Sequence, residues 1–296
     1  VRSFFLLSCI NLKLDFHPPF DWLSLLAFLR HRAIPGVEFI DGTRYLRTAS
    51  VDGVHGWIQV EGRSNSLRLT VSPSLQAHSG ALLPRVRDLF DLEARPREIE
   101  SHLGRDPRLR PIVGRQAGLR LPGAFEVFEM AVRAVLGQQV SVRAATTLAG
   151  RVARGFGEAL ETPHPALTRT TIVASTLATA SSDEFRSLGL TGARAECLLA
   201  LAQAVASGRI QLEPRNEVGR TIERLKELPG IGDWTAHYIA MRALRWPDAF
   251  PHADLGLRKA MGESSPKRML ELAERWRPWR AYAVMHLWKS LEGGEP

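Results

Sequence analysis

Apolar positions follow two regimes along the chain. Up to about residue 98 they alternate with polar ones or fall in short runs; beyond it they recur every three or four residues. Leu67-Arg68-Leu69-Thr70-Val71 alternates as a half-buried antiparallel strand does. Residues 45–51 and 56–60 read as two more strands, parted by an Asp52-Gly53 turn signal. Pro18-Pro19 leads into a helix over 21–32, with Leu25, Leu26, Phe28 and Leu29 apolar, and a helix over 82–92 covers the sheet.

The helical regime begins with a segment over 124–136 carrying Phe125, Phe128, Ala131, Val132 and Val135 on one side. It breaks at Gly137-Gln138-Gln139, and Ser141 suits the cap of the next helix. Further helices are predicted over 165–170, 182–188, 193–206, 218–228, 233–244, 255–261, 266–276 and 279–291. The fold class is therefore α+β. A small N-terminal antiparallel-sheet α/β domain over 14–98 precedes an all-helical, two-lobed core over 99–296. Residues 1–13 read as an extension with no export function, since no small-residue cleavage site follows Phe4-Phe5-Leu6-Leu7.

The stretch Leu228-Pro229-Gly230-Ile231-Gly232-Asp233-Trp234-Thr235-Ala236 organises the core. Ile222, Leu225 and Leu228 mark one face of a helix that Pro229 stops, because proline has no N–H and clashes with the preceding turn. Two glycines then permit a tight hairpin, and a second helix starts near Asp233. The unit over 218–244 is a helix, a hairpin and a helix whose first N–H groups are free. Free N–H groups at a helix start bind anions, phosphate above all. Equally, a tight corner with no ligand has this pattern.

Residues beyond the hairpin narrow the choice. Tyr238 is followed by Trp246-Pro247-Asp248-Ala249-Phe250-Pro251-His252-Ala253-Asp254, and Arg275-Trp276-Arg277-Pro278-Trp279-Arg280 leads to Met285-His286-Leu287-Trp288. Together these resemble the helix–hairpin–helix base-excision superfamily, and within it the alkylation-repair branch, the 3-methyladenine DNA glycosylase II family. The resemblance runs from about Leu14 to Leu291.

It implies a DNA glycosylase that flips out an alkylated base, 3-methyladenine or a relative, and hydrolyses its bond to the sugar. Asp254 takes the position of the essential carboxylate, although an Asp before a helix start is also an ordinary cap. Members that also cut the strand have a lysine where Trp234 stands, so hydrolysis without lyase activity is implied. Trp234, Tyr238 and Trp288 read as walls of an aromatic pocket that attracts a cationic base, or as core packing. Phe28 matches a position that helps close that pocket, and equally fits the core of its helix. Leu136 matches the wedge that enters the duplex, and is otherwise the last core residue of its helix. The amides at Gly230, Gly232 and Trp234 would hold a DNA phosphate. The main-chain carbonyls of Lys226, Leu228 and Ile231 would hold a monovalent cation, sodium or potassium. The expected partner is double-stranded DNA carrying alkylated bases, met by a monomer.

Composition agrees and sets limits. The chain has 296 residues, and 39 Lys plus Arg against 31 Asp plus Glu give +8, a balance suited to a polyanion. The arginines 95, 97, 105, 108, 110, 115 and 120 read as solvated surface. Two cysteines, Cys9 and Cys197, provide neither a disulfide framework nor a four-cysteine iron–sulfur cluster, and fit a reducing, cytoplasmic setting. No apolar run reaches the ~20 residues of a membrane span. The rival readings are a non-catalytic hairpin protein that only binds DNA, a glycosylase for other damaged purines, and a basic enzyme unrelated to DNA. The first needs neither Asp254 nor the aromatic trio.

Overall fold

The computed structural model describes residues 8–292; the run Phe4 to Leu7 of the proposed extension lies outside them. The N-terminal unit is a five-stranded antiparallel sheet in the order β1-β5-β4-β3-β2. Its strands are β1 (Ile10–Asp15), β2 (Glu38–Asp41), β3 (Arg44–Val51), β4 (Val54–Gly62) and β5 (Ser66–Val71). The sequence predicts only the central three. β1 continues into the segment read as an extension: Ile10 to Leu14 alternate, and Leu12 pairs with Leu69. β2 has four residues between Gly36 and Gly42, too short for its period to register.

Helices α1 (Trp22–Arg30) and α2 (Ser79–Leu89) share one apolar core with this sheet through Leu25, Leu26, Leu82 and Val86. Short helices α3 (Pro96–Leu103) and α4 (Arg110–Val113) lead into the core. There follow α5 (Val127–Leu136), α6 (Val142–Phe156), α7 (Ala174–Ala178), α8 (Ser182–Ser187), α9 (Gly192–Ala206), α10 (Val218–Lys226) and α11 (Asp233–Arg242). Then come α12 (Leu255–Met261), α13 (Pro266–Ala273) and α14 (Arg280–Glu292). Ser141 caps α6 as expected, its hydroxyl accepting from the Ala144 amide at 3.2 Å. The predicted helix over 165–170 does not form. The amides of Thr168 and Arg169 donate instead to the Gly36 carbonyl, at 2.8 and 3.0 Å, tying the segment to the N-terminal unit. A tertiary partner has overridden the local preference.

Buried charges join sheet and helices. Arg47 of β3 meets Glu129 of α5 at 3.1 Å, and burial pushes the Glu129 carboxyl upward against the pull of Arg47. Asp91, just after α2, accepts from Arg245 at 2.9 Å, from the Tyr282 hydroxyl at 2.7 Å and from the Leu121 amide at 3.1 Å. Burial raises the Asp91 carboxyl, and Arg245 heads the groups that pull it back. Arg120, read as surface, is buried: it donates to the carbonyls of Asp91 and Ala94 at 3.1 and 3.0 Å.

Two histidines of the helical unit, the buried His286 and the half-buried His237, are held neutral. Burial, reinforced by neighbouring positive charge, draws His237 and His286 down to about 4. Unfolded histidines take up protons from about pH 6.5, whereas the folded ones resist until about 4. Their contribution is complete above pH 6.5 and is lost as pH falls toward 4. Thermal unfolding followed across that window should show a falling midpoint, with a shallower fall in His286→Gln. An unchanged slope in the variant would remove His286 from the account.

Candidate active site

The hairpin forms as its residues dictate. Helix α10 buries Thr221, Ile222 and Leu225, and ends where Pro229 lacks the N–H to continue it. The Leu228 and Ile231 side chains are buried, so they anchor the turn from below. The Leu228 carbonyl accepts the Ile231 amide at 3.2 Å and closes it. Gly230 and Gly232 face outward but for different reasons. Gly230 has φ +78°, and a Cβ there would sit 3.2 Å from that of Cys197 on α9. Gly232 has an ordinary φ of −95°, and nothing lies within 4 Å of a Cβ built on it. The fold itself does not demand glycine at 232; a ligand approaching the hairpin would. Gly230→Ala should therefore destabilise the protein by about 1 kcal/mol or more. Gly232→Ala should leave the melting temperature unchanged and weaken DNA binding several-fold. If Gly232→Ala binds DNA as well as the wild type, the hairpin is a corner and no phosphate grip.

A cleft of about 740 Å³ opens beside the hairpin. Gly230, Gly232, Trp234 and Asp254 line it, together with the loop from Gly137 to Ser141. The segment bearing Asp254 is fastened from behind. Arg280 holds the buried Asp248 through both carboxylate oxygens, at 2.8 and 2.9 Å, and the Ala281 amide holds the Pro247 carbonyl at 2.9 Å. Asp254 then caps α12, its Oδ1 accepting from the Leu257 amide at 2.8 Å. Two indoles complete its surroundings. Trp288 Nε1 donates to the same Oδ1 at 2.9 Å, and Trp234 Nε1 donates to Oδ2 at 3.0 Å. Capping and chemical availability thus coexist. Oδ1 has two donors and Oδ2 one, so Oδ2 keeps the greater capacity to face a cation or a water.

The other aromatics stack behind. Tyr238 lies parallel to Trp234, with ring centres 5.2 Å apart, and tilts against Trp288 at 6.3 Å. Arg242 donates to the Tyr238 hydroxyl at 3.2 Å. Burial raises that hydroxyl, yet Arg242, Arg32 and Arg133 together outweigh burial and leave it below the usual tyrosine range. Phe28 is buried, with the guanidinium carbon of Arg32 3.7 Å and that of Arg242 4.9 Å from its ring centre. It belongs to the core behind the aromatic group and does not line the cleft.

One assignment is corrected by burial. The Leu136 side chain is 0% exposed, packed in the core at the end of α5. A wedge must reach out of the protein, and Leu136 cannot do so without emptying its own site. The exposed loop residues one turn later are Gln139 and Val140, and Gln139 adopts the left-handed φ of 55°. Sequence reasoning also passed over Gln138, although the Gly-Gln-Gln break was visible. Its amide donates to the Gly230 carbonyl at 2.8 Å and to the Thr235 hydroxyl at 2.9 Å. The arginines around Tyr238 left no signal, because Arg32, Arg133 and Arg242 come from three places far apart in the chain: the turn after α1, α5 and α11.

Comparison with known proteins identifies the family of nearly the whole chain. Residues 11–126 match the AlkA N-terminal domain, and residues 132–277 match the HhH-GPD superfamily of base excision DNA repair proteins. The DNA-3-methyladenine glycosylase 2 of Escherichia coli is 35% identical over 292 residues, spanning 96% of this chain and 98% of that protein. A probable bifunctional transcriptional activator/DNA repair enzyme AlkA of Mycobacterium tuberculosis is 37% identical over 287 residues, and the match spans 57% of that longer protein. Among solved structures, a 3-methyladenine DNA-glycosylase from Archaeoglobus fulgidus superposes with a TM-score of 0.81 at 21% identity, covering 94% of this chain and 97% of that one. The fold and the matched residues define a helix–hairpin–helix base-excision repair protein. Within that class, the chain belongs to the DNA-3-methyladenine glycosylase 2 family and is a DNA glycosylase of the alkylation-repair type.

Proposed function

We propose that this chain, as a monomer, flips alkylated bases such as 3-methyladenine out of double-stranded DNA and hydrolyses their N-glycosidic bond without cutting the strand. The observation that supports this most is the Asp254 carboxylate, fixed at the cleft by two indole N–H groups and one backbone amide. As the bond between C1′ and the base lengthens, the sugar becomes oxocarbenium-like. A negative oxygen held in place stabilises that charge without reorganising at the moment of reaction. Oδ2 is the oxygen with capacity left, so it faces the sugar or accepts a proton from the attacking water. The leaving purine, if cationic, is met at the cleft by the indole of Trp234, which Tyr238 and Trp288 back from behind.

The hairpin amides at Gly230, Gly232 and Trp234 would take a phosphate beside the lesion. Cation support fits the turn. Among the described residues no hydrogen bond closes onto the Lys226 or Ile231 carbonyl, and Leu228 accepts only one. With the Leu228 carbonyl, those of Lys226 and Ile231 would hold a sodium or potassium ion, which would add positive charge behind the bound phosphate. Gln139 and Val140, at the exposed tip of the loop after α5, take over the duplex-entering role that Leu136 cannot perform. Leu255, 77% exposed beside Asp254, adds a second apolar contact for the opened duplex.

A lyase step needs an amine to attack C1′ and form an imine. The indole at Trp234 cannot supply one, and no lysine lines the cleft among the described residues. Incubation with a lesion-bearing duplex and borohydride should therefore trap no covalent adduct, and strands should break only after alkali. An adduct or a direct nick would overturn the hydrolytic reading.

A further inference from the structure

Gln138 sits where three parts of the active site meet. It follows Gly137 in the loop after α5, one residue before the left-handed Gln139. Its side-chain nitrogen reaches across to the hairpin and spends both protons there, on the Gly230 carbonyl at 2.8 Å and the Thr235 hydroxyl at 2.9 Å. The carbonyl can only accept, so the amide orientation is determined by its partner. Helix α9 braces both ends from below. Arg194 donates to the Gln138 main-chain carbonyl at 2.8 Å, and Cys197, one turn later on the same helix, packs under Gly230.

We propose that Gln138 is a positioning residue that makes the loop and the hairpin one unit, so that gripping the phosphate and entering the duplex occur together. The proposal rests on the glycosylase reading above, in which the hairpin holds the backbone and Gln139 and Val140 replace the flipped base. Entry into the stack must offset an unstacking cost of a few kcal/mol. A loop tied only to its own helix would yield under that load. Tied through Gln138 to the hairpin, it is held against the bound backbone at a set distance. Asp254 lies across the same cleft, so the tie also sets where the extruded nucleotide arrives.

The proposal predicts a dependence on how hard the base is to extrude. Base release would be measured under single-turnover conditions from two substrates. One carries the methylated base in a fully paired duplex, the other carries it inside a short mismatched bubble that is already unstacked. The proteins are the wild type, Gln138→Ala, Thr235→Val and the double variant. Gln138→Ala should lose about tenfold on the paired duplex and less than about twofold on the bubble, a loss expected from two hydrogen bonds. Thr235→Val, which removes one acceptor and leaves the loop sequence intact, should show the same bias at smaller size. The double variant should be no worse than Gln138→Ala, since Thr235 acts on the loop only through the Gln138 amide. Equal losses on both substrates would overturn the coupling and leave Gln138 a structural residue, and so would additive losses in the double variant. Failure of the wild type to release base from either substrate would instead overturn the glycosylase reading.

Discussion

Asp254→Asn should reduce base release by roughly 10²- to 10⁴-fold, the range seen when a positioned carboxylate or charge-stabilising group is removed. The substitution is chosen because it leaves the fold almost alone. Asparagine is as good a helix cap as aspartate, so the bond from the Leu257 amide should survive. The amide of Asn would, however, turn a donor toward one of the two indoles, which are themselves donors. One hydrogen bond is therefore lost along with the charge. Unfolding should shift by no more than about 1 kcal/mol, and affinity for duplex DNA should hold. Near-normal release by Asp254→Asn would mean that another group stabilises the sugar.

The largest effect on stability is expected at Arg245→Met. Arg245 is buried, reaches both Asp88 and Asp91, and joins the end of α2 to the segment after α11. Taking it away leaves Asp91 buried with only the Tyr282 hydroxyl and the Leu121 amide. An uncompensated buried carboxylate typically costs about 3–5 kcal/mol. Urea unfolding should show that loss, and the loss should shrink in the double variant Arg245→Met/Asp91→Asn, where no charge is stranded. A change below about 1 kcal/mol would show that water or relaxation reaches Asp91. The same junction fixes the Trp246–Asp254 segment at its start, so the position of the Asp254 carboxylate depends on it at a distance.

The hairpin and Asp254 were legible because their chemistry is written in consecutive residues. Proline and glycine punctuate the turn, and the acid precedes a helix start. The central strands were legible for the same reason, as local alternation. What escaped was decided by distant partners. β1 becomes a strand by pairing with β5, and residues 165–170 lose their helix to the Gly36 carbonyl. Leu136, the last residue of α5, and Gln139, in the loop after it, differ by three positions, and only burial tells which of them can leave the protein. Trp234 and Trp288 were visible as aromatics; that their N–H groups both end on Asp254 is a fact of packing, 20 and 34 residues from the acid. The arginines around Tyr238 are legible to no periodicity, since a turn and two helices distant in the chain bring them together.

The most direct measurement is chromatography of the bases that the protein frees from methylated duplex DNA. The account predicts free 3-methyladenine in solution, with the strand intact until alkali is added. DNA that is bound while no base appears would contradict it and would make the chain a hairpin protein that binds without cutting.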